Sequence, residues 1–456
     1  MLSNSSRIHL IAIGGSVMHN LALALKNKGH HVTGSDDDIF EPSRSRLFEN
    51  GLLPDKMGWH PENINEDIDA IILGMHARSD NPELLKAQQL GLPIYSYPEF
   101  VKIQSEDKQR IVVAGSHGKT TITAIVLHVL KFLNKEFDYL IGASIKGFDV
   151  MVKLSDAPVI IIEGDEYYSS SIDPSPKFLR YEHHIALISG IAWDHKNVYP
   201  SFDDYVKEFD RFADQSPKAA TLIYNEDDDI ATMIGKKERT DVANIEYRTH
   251  PYEIIDGQTY LLTDEGKVKV SIFGRHNMQN IAAAKAILKR IGITSQQFYE
   301  AIKSFQGASN RLEIIYSSED TIVFKDFAHA PSKVKASVNA VKEQYQKRVI
   351  ACLELHTFSS LDREFLQQYY DTLGEADEGI IFINEKTIKS KGKEIFSRDD
   401  IWEAFGNRSL KVVFDRDELQ KLLEDYNYNN TILLIMTSGN LGGINLQNFA
   451  DKLAKD

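Results

Sequence analysis

The heptad Gly115-Ser116-His117-Gly118-Lys119-Thr120-Thr121 packs two glycines, a lysine and two hydroxyls between an apolar run and a helical pattern. Backbone N–H groups in such a turn can converge on one anion. A lysine there can reach the β- and γ-phosphates of a nucleotide, and a threonine hydroxyl can sit on Mg2+. The general phosphate-loop spacing wants a further glycine at position 113, where this chain has Val113. Taken alone, the heptad reads equally as a nucleotide site and as a plain strand–turn–helix.

Two more stretches offer compatible chemistry. In "IIIEGDE", Glu163, Asp165 and Glu166 follow an apolar run, and in "GIAWDHK" Asp194 and His195 follow another. Carboxylates there can hold a metal against phosphates, and open parallel sheets bind ligands beyond the carboxyl ends of their strands. Each has a blander reading, a solvated turn for the carboxylates and a hydrogen-bonded structural histidine for His195. Three such strand ends in one chain favour the chemical reading.

The elements that must position these groups alternate. "RIHLIAIGG", "HHVTGSD", "DAIILGM" and "LPIYSY" read as strands of a first block, separated by the charged stretch at 104–110 from a second. "IVVAG", "APVIIIEGDE" and "HHIALISGI" continue the pattern, "TYLLTDEGKVKVSIFG" reads as a hairpin turning at Asp264–Gly266, and "HNMQNIAAAKAILKRIG" as an amphipathic helix. Beyond "FQGASNRLE", which has the character of a hinge, five strand-like runs form a third block. Alternation of this kind implies α/β domains built on mainly parallel sheets. With 456 residues, about three domains of ~150 residues are expected, at 1–106, 107–308 and 309–456. A net charge of −14 argues against non-specific nucleic-acid binding. The single Cys352 leaves no internal disulfide or cysteine zinc site and fits a reducing cytoplasm. No apolar run reaches the ~18 residues of a membrane span, and the N-terminus lacks a signal-peptide pattern.

Taken together the motifs resemble the Mur ligase family of ATP-dependent, amide-forming ligases of peptidoglycan assembly. That family uses the loop form G-[ST]-x-G-K-[ST]-[ST], which "GSHGKTT" matches without a glycine at 113. "EGDEYYSS" resembles its metal segment, "WDH" its D-H motif, "FGRHNMQNIAAA" its nucleotide-base segment, "NRLE" the arginine opening its last domain, and "KDFAHAPS" its D-[YF]-[AG]-H-x-P motif.

The resemblance implies a Rossmann-like N-terminal domain, a central P-loop ATPase-type domain and a Rossmann-like C-terminal domain. It implies ATP and Mg2+ as cofactors. Gly115, Ser116, His117, Gly118, Lys119, Thr120 and Thr121 would hold the phosphates. Thr120 and Glu163 would hold one Mg2+, with His195 near a second metal. His276, Asn277 and Asn280 would lie on the adenine side, although a capped helix start explains them too. Arg311 and Asp326 would reach the nucleotide from the last domain, their blander reading being an ion pair, and His329 would face substrate. The N-terminal "AIGGSVMH" fails the G-x-G-x-x-G dinucleotide spacing. It fits a nucleoside-diphosphate sugar held by Gly14, Gly15, Ser16, Ser35 and Asp36.

Several relatives carry a carbamylated lysine where this chain aligns Phe209. The branches without it take UDP-N-acetylmuramate itself as acceptor. One adds L-alanine, the other rejoins the tripeptide L-alanyl-γ-D-glutamyl-meso-diaminopimelate. "TGSDDDIFEPSRSRL", "DNPELLKA", "DFAHAPS" and "MTSGNLGGI" favour the tripeptide branch, while "LELHTFSS" is closer to the alanine branch. Gly190 and Ala330 depart from the family pattern, where Asn and His are frequent. Two other readings compete, a folylpolyglutamate synthase and a catalytically inactive nucleotide-binding protein. The N-terminal block opposes the first, and the intact Lys119, Glu163, His195 and Asp326 oppose the second.

Overall fold

The computed structural model describes residues 5–454. By contact density the chain forms two compact units. One comprises Met1–Ile191, Val206–Arg248 and Ala283–Ala301; the other comprises Ala192–Tyr205, Thr249–Ala282 and Ile302–Asp456.

The first unit holds two α/β sheets. In the smaller one, Arg7–Ile11 lies between His31–Ser35 and Ala70–Leu73, with Ile94–Ser96 beyond, and every pair is parallel. Ala70, Ile71, Ile72 and Leu73 are all fully buried, the pattern of a strand covered on both faces. Strand order reverses at Arg7–Ile11, so a crevice opens at its carboxyl end. The turn through Gly14 and Gly15 occupies that place.

The larger sheet runs Ala243–Tyr247, Thr221–Asn225, Ile185–Ile188, Gln109–Ala114, Val159–Glu163, Asp138–Leu140 and Val152–Lys153. Only the last strand is antiparallel to its neighbour. Order again reverses, here around Gln109–Ala114, and the 115–121 loop follows at once. Register sets Glu163 opposite Val113, which carries its carboxylate to the base of the loop. Two residues of the stretch taken as a separator, Gln109 and Arg110, already belong to the strand.

The second unit holds a six-stranded sheet in the order Glu313–Ser317, Thr321–Asp326, Thr431–Met436, Arg348–Glu354, Glu378–Phe382 and Lys411–Val413. The first pair is antiparallel and the rest parallel. The expected hairpin pairs Gln258–Thr263 with Gly266–Val270, and Tyr252–Ile255 adds a third antiparallel strand that the sequence reading did not include. The architecture is α/β, with Rossmann-like first and last sheets flanking a phosphate-loop sheet in sequence. Among the described residues no helix is long and apolar enough to cross a membrane.

One expectation is corrected. The apolar run "HHIALISGI" ends as a strand at Ile188. Asp194 and His195 do not terminate it; they lie further along, in a loop that belongs to the second unit. Past Ile188 the chain is held by loop contacts instead: Ser189 Oγ donates to His117 O, and Ile191 N donates to Asp228 Oδ2 at 3.0 Å.

Candidate active site

Gly115 and Gly118 have φ of 122° and 75°, a region that side chains rarely adopt. A Cβ on Gly115 would stand 2.2 Å from Ser189 Oγ and 2.8 Å from Ser189 N. Glycine therefore lets the loop lie against the neighbouring strand end, where Ser116 N donates to Gly190 O at 2.9 Å. Gly118 caps the helix Lys119–Phe132, whose first turn has no acidic residue. Its free N–H groups and positive dipole end suit a phosphate.

Lys119 Nζ donates to Gly115 O at 2.7 Å and to Glu166 Oε2 at 2.6 Å. Burial alone would lower its pKa; the Glu166 carboxylate, helped by Asp165 and Glu163, outweighs that and raises it. The lysine stays cationic. Thr120 Oγ1 donates to Glu163 Oε1 at 2.6 Å, and Gly142 N to Glu163 Oε2 at 2.8 Å. The three carboxylates grouped by sequence thus part company: Asp165 pairs with Lys177, Glu166 with Lys119, and Glu163 alone meets the threonine.

Mg2+ needs only one or two protein oxygens beside phosphate oxygens and water. The buried Thr120–Glu163 pair, all oxygen and at the loop base, fits it. Among the described residues no three His, Cys, Asp or Glu side chains converge on a metal position.

At the N-terminal turn, Gly14 N donates to Asp36 Oδ2 at 2.7 Å, and a Cβ on Gly14 would lie 2.9 Å from that oxygen. Burial pushes the Asp36 carboxyl up to about 6, against the Gly14 N–H, which lowers it. Ser35 is directed elsewhere, its hydroxyl donating to buried Glu83. Gly15 caps the helix Ser16–Asn27, whose first turn also lacks acidic residues.

In the second unit, Asp194 is buried and accepts from Lys333 Nζ at 3.1 Å and from His195 N at 2.8 Å. Burial would raise its pKa, but Lys333, His195 and His329 hold it far below the carboxylate range. His195 has φ 56° and its Nδ1 lies 3.8 Å from Asp194. His329 Nδ1 donates to Phe327 O at 2.8 Å, leaving Nε2 as an acceptor. Burial first, then the Lys333 charge, bring its pKa down to about 4, so the ring is neutral near pH 7. Lys333 was not among the sequence candidates; a lysine in the first turn of the helix Pro331–Gln344 carries no motif signal of its own.

Asp326 accepts from Leu312 N at 3.4 Å and from Ser337 Oγ. The guanidinium of Arg311 lies 4.7 Å from the Phe327 ring centre. His276, Asn277 and Asn280 open the helix Arg275–Arg290. Asn277 donates to Phe273 O at 2.8 Å and Asn280 to Asn277 Oδ1 at 3.3 Å, so local helix-start bonds are present at these adenine-side candidates. Phe209 is fully buried, its ring stacked 5.2 Å from that of Phe178. Gly190 has φ 148°, and a Cβ there would meet Asp228 Oδ2 at 3.1 Å, so the backbone there suits glycine.

Comparison with known proteins agrees with this fold. Residues 7–109 match the domain described as "Mur ligase family, catalytic domain", and 113–288 match the Mur ligase middle domain. The UDP-N-acetylmuramate–L-alanine ligase of Persephonella marina is 30% identical over 95% of this chain and 94% of its own. Among solved structures, the UDP-N-acetylmuramate–alanine ligase of Thermotoga maritima superposes with TM-score 0.70 at 21% identity, covering 98% of this chain and 99% of that one. A murein peptide ligase from Psychrobacter arcticus does so with TM-score 0.66 at 22% identity, covering 98% of each. The chain belongs to the Mur ligase family, ATP-dependent ligases that form carbon–nitrogen bonds.

Proposed function

We propose that the protein joins the lactyl carboxylate of UDP-N-acetylmuramate to the amine of L-alanyl-γ-D-glutamyl-meso-diaminopimelate in the cytoplasm, as a step of peptidoglycan recycling. The observation carrying the acceptor is Phe209. A buried, stacked aromatic stands where relatives using other acceptors keep a carbamylated lysine. The segments around residues 33–47, 80–87, 326–332 and 436–444 carry the choice of tripeptide. A second reading has a specific observation behind it: the L-alanine-adding ligase of Persephonella marina is 30% identical to this chain. In that reading the amine is L-alanine.

A carboxylate does not accept an amine in water, because hydroxide is a poor leaving group. Phosphorylation of the lactyl carboxylate by ATP gives an acyl phosphate, and amine attack then expels phosphate. The protein's part is positioning and charge stabilisation. Lys119 neutralises charge on the β/γ-phosphates, and the loop amides of 115–121 orient them. Thr120 and Glu163 would hold Mg2+, which when bound would draw charge from the phosphate oxygens. Lys333, fixed by Asp194, supplies a second cation beside His195. His329 offers its bare Nε2 to an N–H of the incoming amine. Gly14, Gly15, Ser16 and Asp36 take the UDP portion.

The test incubates the protein with ATP, Mg2+ and UDP-N-acetylmuramate and adds tripeptide or L-alanine separately, reading phosphate release. Release with tripeptide only is expected. Release with L-alanine only would transfer the protein to the second reading, and release with neither would refute both.

A further inference from the structure

Asn20 is polar yet fully buried. Its Nδ2 donates to Ser16 O at 2.8 Å. Its Oδ1 accepts from Met151 N at 2.9 Å and from an Arg46 N–H at 3.3 Å. The same guanidinium donates to Asp149 O at 2.6 Å. One end of the segment 141–151 is thus tied to the helix that begins at the Gly14–Gly15 turn.

The other end is tied to the phosphate loop. Gly142 N donates to Glu163 Oε2, and the Thr120 hydroxyl donates to Glu163 Oε1. Ile141 N donates to Met151 O at 2.9 Å and closes the base of the segment. Its tip is pinned as well. Lys131, on the helix Lys119–Phe132, donates to Gly147 O at 2.6 Å and lies 5.0 Å from the Phe148 ring centre. The Phe148 ring meets Tyr139 edge-on at 5.4 Å. A short hydrogen-bonded strap therefore runs from Ser16 through Asn20, Met151, Ile141, Gly142 and Glu163 to Thr120. All of it lies within the first unit.

Such a chain gives the two ends a shared cost of ordering. A ligand that fixes the helix start at Ser16 fixes the Asn20 amide, and through it Met151 and Ile141, next to the Gly142 amide that orients Glu163. A second ligand on Thr120 and Glu163 then meets a group already ordered. We propose that Asn20 is a positioning residue for the ligase reaction: through the 141–151 strap it makes the UDP-sugar and ATP bind synergistically. This rests on the reading of Gly14–Ser16 as the UDP-sugar turn. The strap ties no residue of the amine substrate's choice, so it holds for either amine.

Calorimetric titration of the full chain tests it, with UDP-N-acetylmuramate and a non-hydrolysable ATP analogue in Mg2+ as probes. In the wild type the analogue binds about fivefold or more tighter when the UDP-sugar is saturating, and the UDP-sugar gains the same factor in return. In Asn20→Ala the factor falls to about twofold or less, while each ligand alone still binds. Arg46→Ala, a change at a half-buried side chain that spares the core, lowers the factor too and decides the matter should Asn20→Ala not fold. Amide hydrogen exchange gives a second readout. In the wild type the analogue slows exchange at Met151 and the UDP-sugar slows it at Gly142; in Asn20→Ala neither distant effect remains. Independent binding of the two ligands in the wild type would overturn the strap and leave the ligase reading intact. An undiminished factor in the variants would overturn it equally. Failure of the UDP-sugar to bind the wild type would remove the ligase reading, and the strap with it.

Discussion

Lys119 divides its ammonium between Gly115 O and Glu166, so its loss has two separable consequences. Lys119→Ala removes the cation that the proposed function sets against phosphate charge, and ADP release should fall by roughly 10^3-fold or more. It also breaks the ion pair to the Glu166 carboxylate, which is only 2% exposed; removing one member of a buried ion pair costs about 3 kcal/mol. Glu166→Gln in the Lys119→Ala background should recover most of the lost thermal stability and none of the activity. Recovery of activity would contradict the role given to the lysine. His329 makes a prediction in pH. Its folded pKa of about 4 lies below its ordinary value, so the unfolded chain binds the extra proton between about 6.5 and 4. The stabilising contribution is therefore complete above about 6.5 and drains away as pH falls toward 4. Asp194, held far lower, loses its contribution only below that window. Chemical denaturation at pH 7 and 4.5 should show the wild type losing on the order of 2 kcal/mol more than His329→Gln. Equal losses would place the titration elsewhere.

At the scale of elements, long apolar runs announced themselves. The strands Arg7–Ile11, Gln109–Ala114, Val159–Glu163, Arg348–Glu354 and Thr431–Met436 were legible because strands buried on both faces read as unbroken apolar stretches. The loop at 115–121 was legible because glycine, lysine and threonine occupy fixed offsets. The strap at 141–151 was not, since the strands flanking it, Asp138–Leu140 and Val152–Lys153, are too short to show a period. The partners of Glu166 and Asp194 were also hidden, because an ion pair between distant segments leaves no mark in local spacing. Phe209 shows how structure sharpens an aligned position. It sits in the helix Phe202–Asp214 and stacks on Phe178, with Phe212 packing on the same ring at 5.0 Å. Phe209→Lys would put an ammonium into that aromatic cluster. A loss of about 3 kcal/mol or more is expected, with no gain of activity in added bicarbonate. A stable, bicarbonate-activated variant would mean that the position retains the lysine site of its relatives, and the acceptor assignment would fall.

The molecule as a whole divides its candidate groups between two units. Gly14–Ser16, the 115–121 loop and Glu163 belong to one; His195, His276, Asn277, Asn280, Arg311, Asp326 and His329 belong to the other. Each unit has an apolar interior of its own. In the first, Ile11, Ile71, Leu73 and Leu84 pack under the N-terminal sheet; in the second, Phe324, Val349, Leu434 and Tyr369 pack on one face of the six-stranded sheet, and Val323, Cys352 and Ile435 on the other. Units with separate cores melt separately, so scanning calorimetry should resolve two transitions, with a calorimetric enthalpy exceeding the van't Hoff value. A ligand bound by one unit stabilises that unit by about 2.7 kcal/mol at a hundred times its dissociation constant. For a unit of this size that is a rise of roughly 5–10 °C. UDP-N-acetylmuramate alone engages only first-unit residues in the proposed function, and should therefore move one transition and leave the other in place. A single transition, displaced whole by the UDP-sugar and with equal enthalpies, would mean that the second unit draws its stability from the first, and that a ligand at the Gly14 turn is felt as far as His329.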